Sequence, residues 1–193
     1  MRLRRRAVAP VRRKLANRAI CRRLQTLPAY RRARAIGLYW PADGEPDVRA
    51  LAEHAWSQGK RIYLPVVRQG GAMRFAPWLR GGKLRRNRYG IPEPVDAQRL
   101  VAAARLDMLV MPLVAFDARG NRLGMGGGYY DRALAGCRRI PVLVGAAFSL
   151  QQATAIPAQP WDIPMEFVIT ERGLRAMRRA RLAVSPCLKG AER

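Results

Sequence analysis

The segment LDMLVMPLVAFDARGNRLGMGGGYYDRAL, Leu106 to Leu134, joins three unlike pieces of chain. It opens with the most apolar run of the sequence, Leu106 to Phe116, interrupted only by Asp107, which reads as a strand at the centre of a sheet. It closes with YYDRAL, the start of a helical pattern YYDRALAGC that runs on to Cys137. Between them Gly124, Gly126, Gly127 and Gly128 fall within five residues. Each glycine loses more backbone freedom on folding than any other residue, so their concentration between strand and helix implies a need for bare main chain.

Outward from this segment, strand and helix patterns alternate. Ahead of it, RARAIGLYW reads as a buried strand closed by Pro41, PDVRALAEHAWSQG as an amphipathic helix ended by Gly59, and KRIYLPVV as a second strand. MRFAPW reads as a short edge strand, because Pro77 has no N–H for a ladder. LRGGKLRRNRYGIPEPVDAQ reads as a loop. Behind the segment come a strand PVLVGAAF, a helical piece near SLQQATA and a last strand EFVIT. The residues past Arg172 begin helically and finish as a loose end. Such alternation predicts a three-layer α/β/α fold, Rossmann-like, with a mostly parallel sheet and helices on both faces. Residues 1–175 form one domain and 176–193 a basic tail. Ligands of such sheets gather at the carboxyl ends of the strands, where the glycine segment lies.

Composition narrows the function classes. The 193 residues suffice for one core, and no apolar run approaches the roughly 20 residues that cross a bilayer. Cys21, Cys137 and Cys187 show no metal-ligand spacing, which excludes a zinc finger and fits a reducing cytoplasm. His54, the single histidine, sits inside a helical pattern and reads as an ordinary helix residue. The net charge is +24, and no acidic residue precedes Asp43. Polyanions are the partners such a charge attracts. Lysine, however, supplies only Lys14, Lys60, Lys83 and Lys189 of the 37 basic residues, and so lopsided a preference for arginine matches a bias of base composition. Nucleic acid is therefore not the expected partner. The acid-poor opening resembles a transit peptide, yet Val11, Leu15, Ala19, Ile20 and Leu24 fit a helix lying on a domain, which is the reading adopted.

Without β-carbons, Gly126, Gly127 and Gly128 let a phosphate or carbonyl approach successive N–H groups, and a helix opening at Tyr129 or Tyr130 adds its own. The Gly-Lys-Ser/Thr ending of a Walker loop is absent, and Tyr129 stands where a dinucleotide fingerprint requires its third glycine. Arg122 offers a forked guanidinium for a terminal phosphate. Asp131 suits such a site if a magnesium ion stands between carboxylate and phosphate; the plain alternative is a glycine turn capped by Asp131. Loops elsewhere pair aromatics with carboxylates: YWPADGEPD with Glu45 and Asp47, RYGIPEP with Tyr89, and PWDIP with Trp161 and Asp162. Aromatics beside carboxylates suit a flat heterocycle that donates hydrogen bonds.

The run MPLVAFDARGNRLGMGGGYYDRAL, with GIPEP before it and WDIP after it, resembles the 5-formyltetrahydrofolate cyclo-ligase family over about Arg4 to Arg172. The resemblance implies an enzyme that uses ATP and magnesium to convert 5-formyltetrahydrofolate into 5,10-methenyltetrahydrofolate. The formyl oxygen takes the γ-phosphoryl group, the neighbouring nitrogen attacks the activated carbon, and phosphate leaves. It further implies that Arg122, Leu123, Gly124, Met125, Gly126, Gly127, Gly128, Tyr129 and Tyr130 form the ATP-phosphate loop, with Arg122 and Tyr130 taking part in catalysis. Asp131 and Asp162 would hold the magnesium. Glu45 would recognise the pterin, with Trp40 or Tyr39, Met73 and Tyr89 as further folate contacts. A polyglutamate tail on the folate would give the positive charge a use.

A monomer in the cytoplasm, acting on a small molecule and not on a membrane, is the expected form. The basic N-terminal helix of the family is matched only in part by Arg4 to Ala7; either the chain begins inside it, or Arg2, Arg4 and Arg5 stand in for its phosphate contacts. The second reading is a weakened relative that binds nucleotide or RNA through its basic surface.

Overall fold

The structure is a computed structural model describing residues 1–95 and 99–177. A short helix α1, Arg2–Arg6, leads into α2, Pro10–Thr26, and α3, Pro28–Arg32; proline opens both later helices, where its missing N–H costs nothing. Then follow β1, Ala35–Gly37, α4, Arg49–Ser57, β2, Arg61–Val67, and β3, Met73–Pro77. A hairpin of β4, Leu84–Arg86, and β5, Pro92–Pro94, precedes β6, Met108–Met111. A second small hairpin, β7, Ala115–Phe116, with β8, Arg122–Leu123, leads to α5, Tyr129–Leu134. The described chain closes with β9, Val142–Ala146, β10, Phe167–Ile169, and β11, Leu174–Ala176.

Seven strands form the main sheet in the order β11-β10-β9-β6-β1-β2-β3. The five inner strands pair in parallel, and only the edges β3 and β11 run antiparallel. Side chains alternate between the faces, as the period of a strand requires. Ile36, Ile62, Leu64, Met108, Val110 and Val144 pack with Ile20, Leu24, Leu51 and Ala55 of the helices α2 and α4. Ala35, Tyr63, Leu109, Met111, Leu143 and Val168 pack on the opposite side with Phe75, Leu106 and Leu134 of α5. The three expected layers are thus present. At about 1.5–3 kcal/mol for each large apolar side chain removed from water, these two clusters dominate the stabilisation. The central strand β1 needs Gly37, since a β-carbon there would lie 2.6 Å from Leu109 Cδ1.

Four local expectations are corrected. Val11 and Leu15 of α2 are exposed, at 72 % and 60 %, and the stripe that faces the sheet is Ala16, Ile20, Cys21 and Leu24. The run Leu106 to Phe116 is not one strand: β6 ends at Met111, Pro112 offers no donor to continue the ladder, and the chain turns into the β7–β8 hairpin. The segment before it is not a plain loop, because β4 and β5 pair within it. Beyond Arg172 the chain forms a strand, not a helix: a tight turn with hydrogen bonds between Thr170 and Gly173 folds β11 back on β10. The expected tail beyond 177, with Cys187, lies outside the described residues.

The order of strands creates one topological switch. From β1 the chain proceeds to β2 on one side, whereas β6 enters on the other side of β1. Loops leaving the carboxyl ends of β1 and β6 therefore diverge, and a crevice opens between them.

Candidate active site

The glycine segment crosses that end of the sheet as an exposed loop between β8 and α5. Gly126 and Gly128 adopt φ of +87° and +59°, a region that L side chains rarely enter. The five N–H groups from Gly124 to Gly128 donate to no acceptor among the described residues. Nothing lies within 4 Å of the β-carbon positions of Gly124 and Gly126. A β-carbon on Gly127 would meet the Tyr129 ring at 2.6 Å. Arg132 steadies the turn, its Nη2 donating to the Gly127 carbonyl at 2.7 Å. Donors without a protein acceptor in an exposed glycine loop fit an anion such as a triphosphate.

Arg122 and Asp131 flank the segment and join each other: Arg122 Nη2 donates to Asp131 Oδ1 at 2.6 Å. Asp131 lies in the first turn of α5 but makes no capping hydrogen bond, so the plain capping reading does not hold. Ile163 links the third motif to this pair. Its N–H donates to Asp131 Oδ1 at 3.3 Å, and its carbonyl accepts from Arg122 Nη1. The neighbouring Asp162 accepts a hydrogen bond from the Gln159 N–H at 2.8 Å. No cluster of three metal-ligating side chains exists among the described residues. Magnesium asks for less, because it commonly takes one or two carboxylates and completes its shell with phosphate and water.

On the opposite wall, the tip of the β4–β5 hairpin leans over the glycine segment. The hydroxyls of Tyr89 and Tyr129 are hydrogen-bonded, with ring centroids 6.2 Å apart. Met73 of β3 is buried in the cluster against which Tyr129 and Tyr130 pack. Burial, and then the Glu45 carboxylate, raise the Tyr130 phenol above its usual range, so it stays a neutral hydrogen-bond donor. Trp40 packs edge-on against Trp78 at 5.6 Å, and the Arg49 guanidinium lies 5.0 Å from its ring.

Glu45 sits in the loop after β1 and is 9 % exposed. Burial pushes its carboxyl up to about 7, against the Ala42 N–H and the Arg5 guanidinium, which pull it down. Ala42 donates to Oε2 at 3.0 Å, and Arg5 Nη1 lies 3.8 Å from Oε1. Arg5 is fully buried, so it is no phosphate ligand of an open loop, and Arg2 is held by Asp43 at 2.7 Å. Of the three expected substitutes only Arg4 is without an ion pair. His54, as expected, is an ordinary helix residue whose Nδ1 meets the Tyr30 hydroxyl at 2.7 Å.

The sequence motifs are thus gathered at one end of the sheet, with three contributors for which the motifs themselves suggested no such role. Arg5 and Asp43 brace the Glu45 loop. Asp117, 2 % exposed, accepts hydrogen bonds from the N–H groups of Arg119, Asn121 and Ile156, which fixes the turn ahead of the glycine segment. Its place in DARGN, a turn-forming pattern, was the available signal.

An open, doubly wound sheet with its open donors and paired charges at a switch point defines a ligand-binding α/β enzyme. The particular family follows from comparison. The family model described as 5-formyltetrahydrofolate cyclo-ligase family matches residues 1–171, and the chain belongs to that family. It is 38 % identical over 174 residues to the 5-formyltetrahydrofolate cyclo-ligase of Escherichia coli, covering 88 % of this chain and 96 % of that one. Identity to the Haemophilus influenzae protein of the same name is 38 % over 154 residues, covering 78 % and 82 %. Among solved structures, the 5,10-methenyltetrahydrofolate synthetase of Aquifex aeolicus superimposes with a TM-score of 0.80 at 32 % identity, covering 93 % of this chain and 90 % of that one. The chain is an enzyme of this cyclo-ligase class. No helix among the described residues is long and apolar enough to cross a membrane.

Proposed function

We propose that the protein converts 5-formyltetrahydrofolate to 5,10-methenyltetrahydrofolate, consuming ATP that binds with magnesium and releasing ADP, phosphate and the unchanged cation. Bound Mg-ATP would supply the phosphoryl group that turns the formyl oxygen into a leaving group. The chain's own task is then positioning and charge neutralisation, which suits a site without a catalytic histidine or cysteine. The N–H groups of Gly124 to Gly128 hold the phosphates, and Arg122 offsets their charge. Asp131 and Asp162 hold the metal. Tyr130 donates a hydrogen bond from a neutral phenol. Glu45 accepts from the N–H groups of the pterin, and Met73, Tyr89 and Trp40 shape the folate pocket.

The single observation that carries this reading is the row of five N–H groups without an acceptor among the described residues, beside the Arg122–Asp131 pair. Absorbance of the methenyl product, followed with Mg-ATP and 5-formyltetrahydrofolate at high enzyme concentration, tests it. Product that requires both ATP and magnesium is expected. Absence of product, together with salt-sensitive retention of RNA, would favour a nucleotide- or RNA-binding relative instead.

A further inference from the structure

Arg5 is the one basic residue that is buried as a whole among the described residues. It enters from α1 and spans the crevice between β1 and β6. Nη1 donates to the carbonyl of Leu113, beyond β6, at 3.0 Å. Nε donates to the Asp43 carbonyl at 3.0 Å and Nη2 to its carboxylate at 2.9 Å. One guanidinium therefore joins the N-terminal helix, the loop after β1 and the chain leaving β6.

We propose that Arg5 is a positioning residue for the substrate site: braced by Asp43, it fixes the loop that carries Glu45 and sets a positive charge beside that carboxylate, the acceptor for a hydrogen-bond-donating heterocycle. The inference rests on the reading of Glu45 given above. Burying a guanidinium is expensive unless its donors and its charge are both satisfied, and here two carboxylates and two carbonyls do so. Asp43 itself has a φ of +49°, the one non-glycine residue with positive φ among those described. Such backbone persists where neighbours over-determine it, and Arg2, Arg5 and Arg6 all grip this carboxylate. The charged and titratable groups facing Glu45 are Arg5 from α1, Asp43 and Tyr39 from its own loop, and Tyr130 from α5. Tyr39 is neutral and donates to the Pro46 carbonyl at 2.6 Å. Arg5 thus supplies the positive charge that opposes desolvation of Glu45. Without it the carboxyl is protonated at neutral pH and loses an acceptor.

Carboxyl-carbon NMR of the ligand-free protein follows Glu45 directly. Its titration is centred at about 7 in the unaltered protein, and Arg5→Met moves the midpoint up by about one pH unit or more. Steady-state KM for 5-formyltetrahydrofolate at neutral pH rises about tenfold in the same variant, while KM for ATP changes by less than about twofold. An unmoved midpoint overturns the proposal whatever the substrate. A moved midpoint with unchanged folate KM overturns the positioning role, and Glu45→Gln then separates the causes. If that variant raises the folate KM, only the role of Arg5 falls; if it does not, the assignment of pterin to Glu45 falls as well. Arg5→Gln, which keeps a hydrogen-bond donor but no charge, serves where Arg5→Met does not fold, and an unmoved midpoint there is equally fatal.

Discussion

Glu45 and Asp131 are both carboxylates at one end of the sheet, yet their surroundings oppose each other. Glu45 titrates at about 7 when folded, above an ordinary value of 4.5. The stability it contributes is therefore present in full below the ordinary value and is lost as pH rises through the folded one. A shift of that size corresponds to about 3 kcal/mol. Glu45→Gln should flatten the fall in unfolding free energy between about pH 5 and pH 8, measured by urea denaturation at a series of pH values. Equal slopes for both proteins would show that burial does not penalise this charge. Asp131 is partly exposed and paired with Arg122. Asp131→Asn should lower magnesium-dependent turnover by about tenfold or more while shifting the melting temperature by only a few degrees; full activity would remove it from the metal site. Glu45 and Asp131 were legible because each stands beside aromatics or glycines in a short motif. Arg5 was not, since Arg2, Arg4, Arg5 and Arg6 look alike in sequence and only the fold decides which one is enclosed.

At the scale of elements, the glycine segment separates the demands of folding from those of binding. Gly128 has a positive φ, and a β-carbon on Gly127 would strike a ring, so both serve the backbone. Gly124 has neither constraint. Gly124→Ala should leave thermal unfolding within about one degree of the unaltered protein, yet raise KM for ATP about tenfold by crowding the phosphates. An unchanged KM would move the nucleotide away from this loop. The segment itself, the helix α5 after it and the buried strands were readable from period and apolarity. Three elements were not. The face of α2 is set by where α4 and the sheet lie, and Val11 and Leu15 are equally apolar candidates that end in solvent. The strand β11 has a helix-like composition, overridden by pairing with β10 across the Thr170–Gly173 turn. The pairing of β4 with β5 hides behind prolines, which sit at an edge where missing donors do little harm.

For the whole molecule, alternation of strands and helices sufficed to predict a three-layer sheet, whereas the bracing of the loop after β1 by Arg5 of α1 is visible only in three dimensions. Deletion of residues 1–8 takes away Arg2, Arg5 and Arg6, the cations beside Asp43 and Glu45. A fall in melting temperature of about 5 °C or more is expected at neutral pH, and a smaller one at about pH 4, where Glu45 is protonated while Asp43 keeps most of its charge. An equal loss at both values would assign the effect to packing and to Asp43, not to Glu45. The four tryptophans divide in the same way between interior and rim. Trp40, Trp56 and Trp78 stack edge to face, with centroids 5.6 Å and 4.8 Å from Trp78, while Trp161, next to Asp162, is 69 % exposed. The protein consequently carries its own two-channel optical reporter. Red-edge emission from Trp161 should change when nucleotide and cation arrive, and bluer emission from Trp56 and Trp78 should hold until the sheet unravels.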